Sequence, residues 1–262
     1  MTFAEPAHLA AFRESIHAAI GVDLIDGRSW VGEPRLSPTG AHVAFVVWST
    51  SVADNTVRSQ VWLDDRPLTA GEHDGAPAWS PDGRFLAFTA RRGEEKSETT
   101  LHVLPVDGPG EVRTVCAMPD GIGSPTWSPD GRLIAFTSRT RGPGYNAKDD
   151  SWRPPRKIER FFSRLNGEDW TYDRPSHVYV VAGDGTAPPR NLTPGDHQHG
   201  GVGWTADSAA VITSAARHDT WDTDHIVDLY AIDVTAPDGD DERSVRRLTG
   251  GDTTVHAPVV SP

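Results

Sequence analysis

Short apolar runs alternate with polar, turn-forming stretches along most of this chain. Each run is only about five residues long and is bounded by Gly, Pro, Asp and Ser, which is typical of β-strands and not of helices. Four of the runs come directly after similar turns; they are His42–Val47, Phe85–Thr89, Leu133–Thr137 and Ala210–Thr213. This pattern predicts an all-β protein.

The turns before these runs share a sequence. Ser-Pro-x-Gly occurs at 37–40, 80–83 and 128–131, and Thr205–Ser208 is a degenerate copy. Ser, Pro and Gly at these positions are the preferences of a type I turn within a bulged hairpin. A tryptophan precedes three of the turns, at Trp79, Trp127 and Trp204. Each turn therefore predicts an antiparallel pair of strands.

Two more strands follow each pair. The third strands are predicted at Gln60–Leu63, Leu101–Leu104, His177–Val181 and Asp228–Ile232. The fourth strands are predicted at Arg66–Thr69, Arg113–Val115, Arg190–Thr193 and Arg247–Thr249. Four antiparallel strands in about 40–50 residues form one blade of a β-propeller. The sequence therefore predicts four complete blades.

A fifth blade is predicted to contribute only its first strand. Val255–Val260 has the spacing of a strand, and Ser261-Pro262 begins the next turn. A propeller protects its edges by completing a ring. We therefore expect an incomplete ring and a chain that is a fragment of a longer protein. A closed four-bladed ring is the alternative, but it leaves no place for this strand.

The chain divides into two parts by pattern. Residues 1–29 are predicted to form a short N-terminal helix and a lead-in, because Leu9, Phe12 and Ile16 have helical spacing and Gly21 can end the helix. Residues 30–262 form the partial propeller. The long step between the third and fourth turns predicts an insertion of roughly 30 residues at about 141–175.

Composition and charge exclude several classes of binding partner. The formal net charge of −12 argues against nucleic acid, whose phosphates need clustered Lys and Arg. The single cysteine, Cys116, excludes an internal disulfide and is predicted to be a buried, inert thiol in a strand. No long apolar window or signal peptide is apparent, so we expect no membrane partner and a cytoplasmic location. No cofactor or metal is expected.

Several of these motifs resemble the prolyl oligopeptidase family of serine peptidases, in its acylaminoacyl-peptidase and dipeptidyl-peptidase-like branch. The Trp-Ser-Pro-Asp-Gly-Arg turns at 79–84 and 127–132 and the run Asp228–Val234 carry the likeness. The turn alone is shared with TolB-like propellers. The segment from Arg156 through Asn166–Tyr172 to Val181 is more specific to the peptidases. The resemblance extends from about Val22 to Pro262.

The resemblance implies a seven- or eight-bladed propeller followed by an α/β-hydrolase domain with a Ser-Asp-His triad. Residues 1–262 contain no Gly-x-Ser-x-Gly elbow, since Gly121–Pro125 ends in Pro and precedes a strand. No catalytic residue is therefore assigned here, and this segment alone is expected to be inactive. We predict a non-catalytic, substrate-gating propeller of a peptidase that acts on short peptides or on acylated or free N-termini. A stand-alone TolB-like protein-binding module is the alternative.

The insertion carries the predicted substrate-binding residues. Glu168 and Asp169 resemble the acidic pair with which dipeptidyl peptidases bind a free amino terminus, although that pair is two glutamates on a helix. Trp170, Tyr172 and Arg160 accompany them as further candidates. The alternative is a surface loop whose aromatic side chains pack over the blades; these are Trp152, Phe161, Phe162, Trp170 and Tyr172.

Two polar clusters are interpreted as ordinary loops. His197 and His199 have a spacing that can bind metal, but no third ligand is adjacent. The acidic residues near position 220 lack the Gly and Glu of an EF-hand and are interpreted as a solvated loop; they are Asp219, Asp222, Asp224 and Asp228.

Overall fold

The structure, a computed structural model, describes most of the chain outside its first 25 residues. The described residues are 26–93, 98–107, 110–142, 145, 155, 157–161, 163–165, 169–171, 173–224, 226–236, 245–250 and 254–259. The predicted N-terminal helix lies outside these residues. Residues 26–28 lead directly into the first strand.

The described residues form four four-stranded antiparallel sheets and one small hairpin. Blade one contains β1 (Ser29–Leu36), β2 (Val43–Ser51), β3 (Thr56–Leu63) and β4 (Arg66–Pro67). Blade two contains β5 (Asp74–Trp79), β6 (Phe85–Arg91), β7 (Thr99–Pro105) and β8 (Arg113–Met118). Blade three contains β9 (Gly123–Trp127), β10 (Leu133–Arg139), β13 (Ser176–Ala182) and β14 (Arg190–Asn191). Blade four contains β15 (His199–Trp204), β16 (Ala210–Ala215), β17 (Asp228–Asp233) and β18 (Val245–Arg247).

The hairpin comprises β11 (Arg164–Leu165) and β12 (Asp169–Trp170). It belongs to the segment that joins the second and third strands of blade three. In every blade the four strands are paired in chain order, as a meander. The prediction of four propeller blades is confirmed.

Each predicted turn closes through its first and last residues. In blade two the N–H of Gly83 donates to the carbonyl of Ser80 (2.9 Å). The Ser80 hydroxyl then accepts from the N–H of Phe85 (2.9 Å), which starts the next strand. Gly83 has a φ of 71°, which glycine adopts without steric cost. Ser208 has a φ of 60° in the degenerate turn, so the turn keeps its shape without glycine.

The tryptophan before the turn joins one blade to the next. Its indole N–H donates to a backbone carbonyl in the first strand of the preceding blade, so each bond crosses a blade boundary. The bonds run from Trp79 to Arg35 (2.9 Å), from Trp127 to Ala78 (3.2 Å) and from Trp204 to Thr126 (3.0 Å). A buried indole needs such an acceptor, which explains why the residue recurs in this register.

The threonine of the Arg-x-Leu-Thr motif holds the fourth strand on the third. Its hydroxyl accepts a hydrogen bond from a backbone N–H of the third strand. The fourth strand is too short to pair with this N–H. These bonds run from Val61 to Thr69 (3.1 Å), from Val178 to Thr193 (2.9 Å) and from Leu229 to Thr249 (3.1 Å). The motif is therefore a structural element of the blade.

The hydrophobic cores lie between adjacent blades. Leu86 and Ala87 are neighbours in β6, and because side chains alternate along a strand they enter different cores. Principal members are Ala44, Val61, Leu86 and Phe88 between blades one and two, Leu101, Trp127, Phe136 and Tyr179 between two and three, and Val178, Val211, Tyr230 and Ile232 between three and four. None of these cores of the described residues joins blade four to blade one.

The predicted fifth-blade strand is wrong as a strand within the described residues. Residues 254–259 have no strand conformation. The N–H of Val255 donates to the carbonyl of Val227 (3.0 Å), which attaches the segment to blade four. An apolar pattern becomes a strand only where a neighbour supplies the ladder of hydrogen bonds, and no strand among the described residues pairs with this segment.

Candidate functional site

The loops of a meander emerge alternately at its two ends. The Ser-Pro-x-Gly turns share one end, where the N–H of Asp130 donates to the hydroxyl of Ser208 in the next turn (3.1 Å). The connections between second and third strands, and between successive blades, share the other end. We call that end the insertion face; it carries the described residues within 119–122, 140–175, 192–198 and 216–227.

The insertion begins and ends as an extension of blade three. Past the ends of β10 and β13, the N–H of Thr140 donates to the carbonyl of Pro175 (2.9 Å). The N–H of Gly142 donates to the carbonyl of Asp173 (2.7 Å). The two strands thus continue outward as a neck, which fixes where the inserted residues leave the blade.

A buried carboxylate fastens this neck to the loop between blades two and three. The Asp120 side chain is 6% exposed and accepts from Arg141 Nε (2.5 Å) and Arg174 Nη1 (3.0 Å). The ring of Tyr145 lies below both guanidinium groups, 4.8 Å from Arg174 Cζ and 5.3 Å from Arg141 Cζ. A buried ion pair of this kind is costly to break from one side, so Asp120 is the main attachment of the neck.

A second attachment joins the insertion to blade four. Arg160 Nη2 donates to Asp196 Oδ2 (2.6 Å), and Arg160 Cζ lies 5.1 Å from the centre of the Trp221 ring. The N–H of Phe161 donates to Asp222 Oδ2 (2.7 Å). The insertion therefore lies against the loops of blade four as well as those of blade two.

The predicted substrate-binding residues do not all lie at one place in the structure. Arg160 is at the contact with blade four. Asp169 and Trp170 form β12, and the Trp170 carbonyl accepts from Arg174 Nε (3.0 Å). Glu168 and Tyr172 lie outside the described residues, so binding by the acidic pair stays a prediction.

The interpretation of the insertion as an aromatic layer over the blades is wrong for Phe161. Its side chain is 78% exposed. The backbone of this residue is held by Asp222, which leaves the ring on the surface. Trp152, Phe162 and Tyr172 lie outside the described residues.

His199 corrects the interpretation of the His197–His199 segment as an ordinary loop. His199 is the first residue of β15 and is 3% exposed, and its Nε2 lies 3.2 Å from Arg217 Nη1. Burial and the Arg217 charge hold the pKa of His199 well below its ordinary value. His197 remains in the loop, edge-on to Trp221 at 5.6 Å, and burial followed by Arg217 lowers its pKa too. Both rings are therefore neutral at pH 7.

The acidic residues near position 220 are more ordered than a solvated loop. Asp224 accepts from the Thr220 hydroxyl (2.6 Å), from the N–H of Ile226 (3.0 Å) and from His218 (2.9 Å). The hydrogen bond from Thr220, then that from Ile226, lower the pKa of Asp224 to about 2. Asp224 therefore closes a local loop, because it accepts hydrogen bonds from residues on both sides of it in the chain.

Asp228 corrects the same interpretation, because it lies in β17 and is fully buried. It accepts from Arg247 Nη2 (2.6 Å) and from the Thr249 hydroxyl (2.6 Å), so it binds the fourth strand. Among the described residues no group of three or more His, Cys, Asp or Glu side chains could hold a metal ion.

Cys116 matches its prediction. It lies in β8, is 8% exposed, and burial raises the pKa of its thiol to about 11. A protonated, buried thiol is a poor nucleophile, so Cys116 is a packing residue.

Sequence reasoning missed Asp120, Arg174, Arg217 and Trp221. None lies in a recognisable motif, and their roles depend on loops from three blades meeting at one face. Arg217 gave one weak signal, because an arginine follows the second strand of blades two and three as well, at Arg92 and Arg141. The repeat shows that position but not its partners.

Several known proteins resemble this chain in sequence or in fold. No family model matches the chain. An uncharacterized peptidase of Bacillus subtilis, YuxL, is 27% identical in an alignment of 213 residues that covers 76% of this chain and 32% of that protein. An acylaminoacyl peptidase of Pyrococcus horikoshii superposes with a TM-score of 0.62 at 16% identity, covering 86% of this chain and 33% of that one. A puromycin hydrolase gives 0.56 at 16% identity, covering 90% and 33%.

These comparisons confirm the β-propeller fold and the resemblance to peptidase propellers. The chain spans about a third of the length of the proteins it matches. No helix in the part of the chain that the structure describes is both long and apolar enough to cross a membrane.

Proposed function

We propose that this chain is the non-catalytic, substrate-gating part of a propeller in a cytoplasmic serine peptidase of the prolyl oligopeptidase family. The proposed substrates are short peptides with acylated or free N-termini. The proposed partner is an α/β-hydrolase domain in the same polypeptide. The likeness to peptidase propellers, shared by the curated relative and the solved structures, supports this assignment.

The observation that carries the gating role is the attachment of the insertion at two points. Asp120 fastens its neck on one side, and Asp196 holds Arg160 on the other. An excursion from a regular scaffold that is tied down in this way is typical of a binding element. Its polar side chains lie at one end of the blades, where a peptide approaching the propeller would meet them.

The test measures how cleavage by the full-length polypeptide depends on peptide length. Acylated peptides of 3, 6 and 20 residues carry the same scissile bond, and a small ester serves as the substrate that needs no gate. We expect kcat/KM to fall about tenfold or more for the longest peptide. Asp120→Asn should weaken the neck and raise cleavage of that peptide without changing ester hydrolysis.

The control is Asp64→Asn, which removes an exposed carboxylate at the other end of blade one. It should leave the length dependence unchanged. Equal kcat/KM for all three lengths would contradict gating. The alternative, a TolB-like protein-binding module, predicts that the full-length polypeptide hydrolyses neither the peptides nor the ester.

A further inference from the structure

Arg217 is a partly buried arginine that has no carboxylate partner among the described residues. Its Nη1 donates to His199 Nε2 (3.2 Å), and its Cζ lies 5.9 Å from the centre of the Tyr230 ring. Both neighbours are neutral, so neither offsets the charge of the guanidinium. Removing a charge from water without a counter-charge is unfavourable. Arg217 is therefore placed to take an anion.

Three other described arginines of the insertion face each have a carboxylate partner. Arg141 and Arg174 both contact Asp120, and Arg160 contacts Asp196. Arg217 differs from these three arginines because it has no carboxylate partner among the described residues. Arg217 follows the second strand of blade four and lies next to the contact between that blade and the insertion.

His199 fixes the direction of the Arg217 guanidinium. An arginine can only donate, so His199 Nε2 accepts and the proton of the neutral ring resides on Nδ1. His199 is 3% exposed, and its Nδ1 is buried without a hydrogen-bond partner, as is Nδ1 of His197. Unpartnered buried polar atoms are rare in folded proteins and call for a functional explanation. Here they lie beside an arginine that has no carboxylate partner in the part of the chain that the structure describes.

Arg160 lies beside the same pair of histidines but is paired with a carboxylate, because its Nη2 donates to Asp196 Oδ2 (2.6 Å). The Trp221 ring contacts both Arg160 and His197, and the charges of Arg217, Asp196 and Arg160 all act on His197. One side chain of the insertion and one of blade four therefore flank the same histidine. Because Asp196 offsets the charge of Arg160, Arg217 carries the positive charge that no carboxylate among the described residues compensates here.

We propose that Arg217 binds a carboxylate group of a peptide ligand, with His199 as a positioning residue. The planar guanidinium matches a carboxylate with two parallel hydrogen bonds. This inference rests on the proposed function and adds to it the chemical class that the insertion face recognises. The carboxylate can be the C-terminus of a short peptide or an acidic side chain.

The test compares three peptide probes by isothermal titration calorimetry at constant ionic strength on the 262-residue chain, which is expected not to cleave them. They are acetyl-Ala-Ala-Ala with a free C-terminus, its C-terminal amide, and the amide of acetyl-Ala-Glu-Ala. We expect the free carboxylate to bind about 10- to 100-fold more tightly than the amide, as for hydrogen bonds to a charged group. Tight binding of the third peptide assigns the site to side-chain carboxylates, and weak binding assigns it to the C-terminus.

Variants of the arginine then locate the binding. Arg217→Gln should abolish the preference for the carboxylate, and Arg217→Lys should retain part of it because the charge remains without the planar fork. Arg58→Gln is the matched control. Arg58 lies at the corresponding end of blade one, where the second and third strands are joined, and it is paired with Asp54 and Glu72. It should leave the preference intact.

Two outcomes would overturn the inference. One is equal binding of the free peptide and its amide, or binding of neither, by the unaltered protein, a comparison that needs no variant to fold. The other is an unchanged preference in a folded Arg217→Gln protein. Either result leaves the length dependence of cleavage untouched, so the proposed function is tested separately.

Discussion

The protonation of one buried residue of blade four, His199, affects the free energy of unfolding. His199 is held neutral in the folded protein because burial and Arg217 lower its pKa. The unfolded chain takes up a proton near pH 6.5, where an ordinary histidine titrates. The stabilisation is therefore complete above that pH and is lost as the pH falls, because below it only the unfolded state gains the proton.

We predict that the free energy of unfolding decreases from pH 7.5 to pH 5. His199 contributes at most about 1.4 kcal/mol per pH unit, and His197 contributes in the same direction. Urea unfolding at a series of pH values measures the slope, and His199→Gln should make it shallower. An equal slope in the two proteins, or titration of the His199 ring near pH 6.5 by NMR in the folded protein, would contradict this account.

Residue roles were predictable from the sequence where they follow from local geometry. Gly83 and Cys116 are examples, because a turn demands a left-handed residue and an apolar strand demands burial. His199 was not predictable, since it looks like part of a polar loop. Its burial depends on blade four beginning at that residue and on Arg217 reaching it from the next strand connection.

The strand-turn-strand unit is the element that repeats, and its glycine makes the turn possible. Gly131 has a φ of 72°, and an added methyl group would meet only Pro81, at 3.7 Å. The cost of a substitution there is therefore conformational strain and not a clash.

We predict that Gly131→Ala lowers the free energy of unfolding by about 1 kcal/mol, the cost of placing a β-carbon in the left-handed region. Urea denaturation measures the change. Gly75→Ala is the control: Gly75 lies in β5 outside that region, and an added methyl group would come no closer than 4.0 Å to Glu33. Equal loss in both variants would show that the turn conformation is not the cause.

Elements were predictable to the extent that they repeat. The turns, the tryptophans and the threonines recur at corresponding positions because each blade solves the same packing problem, so four blades could be read from the sequence. The insertion has no second copy to compare. Its attachment through Asp120 and Asp196 joins residues far apart in the chain, and no local pattern predicts such contacts. The segment 254–259 shows the opposite case, an apolar pattern without a partner strand.

At the scale of the whole molecule, blade one has a sheet face that no other described blade covers. Val46 and Val61 of this blade face blade two, so the alternate residues face the other way. Among these, Phe45 and Trp62 stack at 6.3 Å, and Val31 and Leu36 are 68% and 71% exposed. The ring of described blades is therefore open on an apolar surface.

We predict that the 262-residue protein, purified alone, associates through this face, because exposed apolar sheet surfaces favour self-association. Light scattering should give a mass above that of the monomer, and Val31→Lys should reduce it. Val57→Lys is the control, since Val57 is 44% exposed on the opposite side of the same sheet. A monodisperse monomer would contradict the open-ring account.

At the scale of the whole molecule, we propose that these blades serve a catalytic domain elsewhere in the same polypeptide. A fluorophosphonate probe, which labels the activated serine of a serine peptidase, tests it most directly when the cellular protein is isolated with an antibody against residues 1–262. We predict a labelled polypeptide larger than 262 residues, with the label outside residues 1–262 and no label on the purified 262-residue protein. A cellular protein that takes up no label, or a label within these residues, would contradict the account.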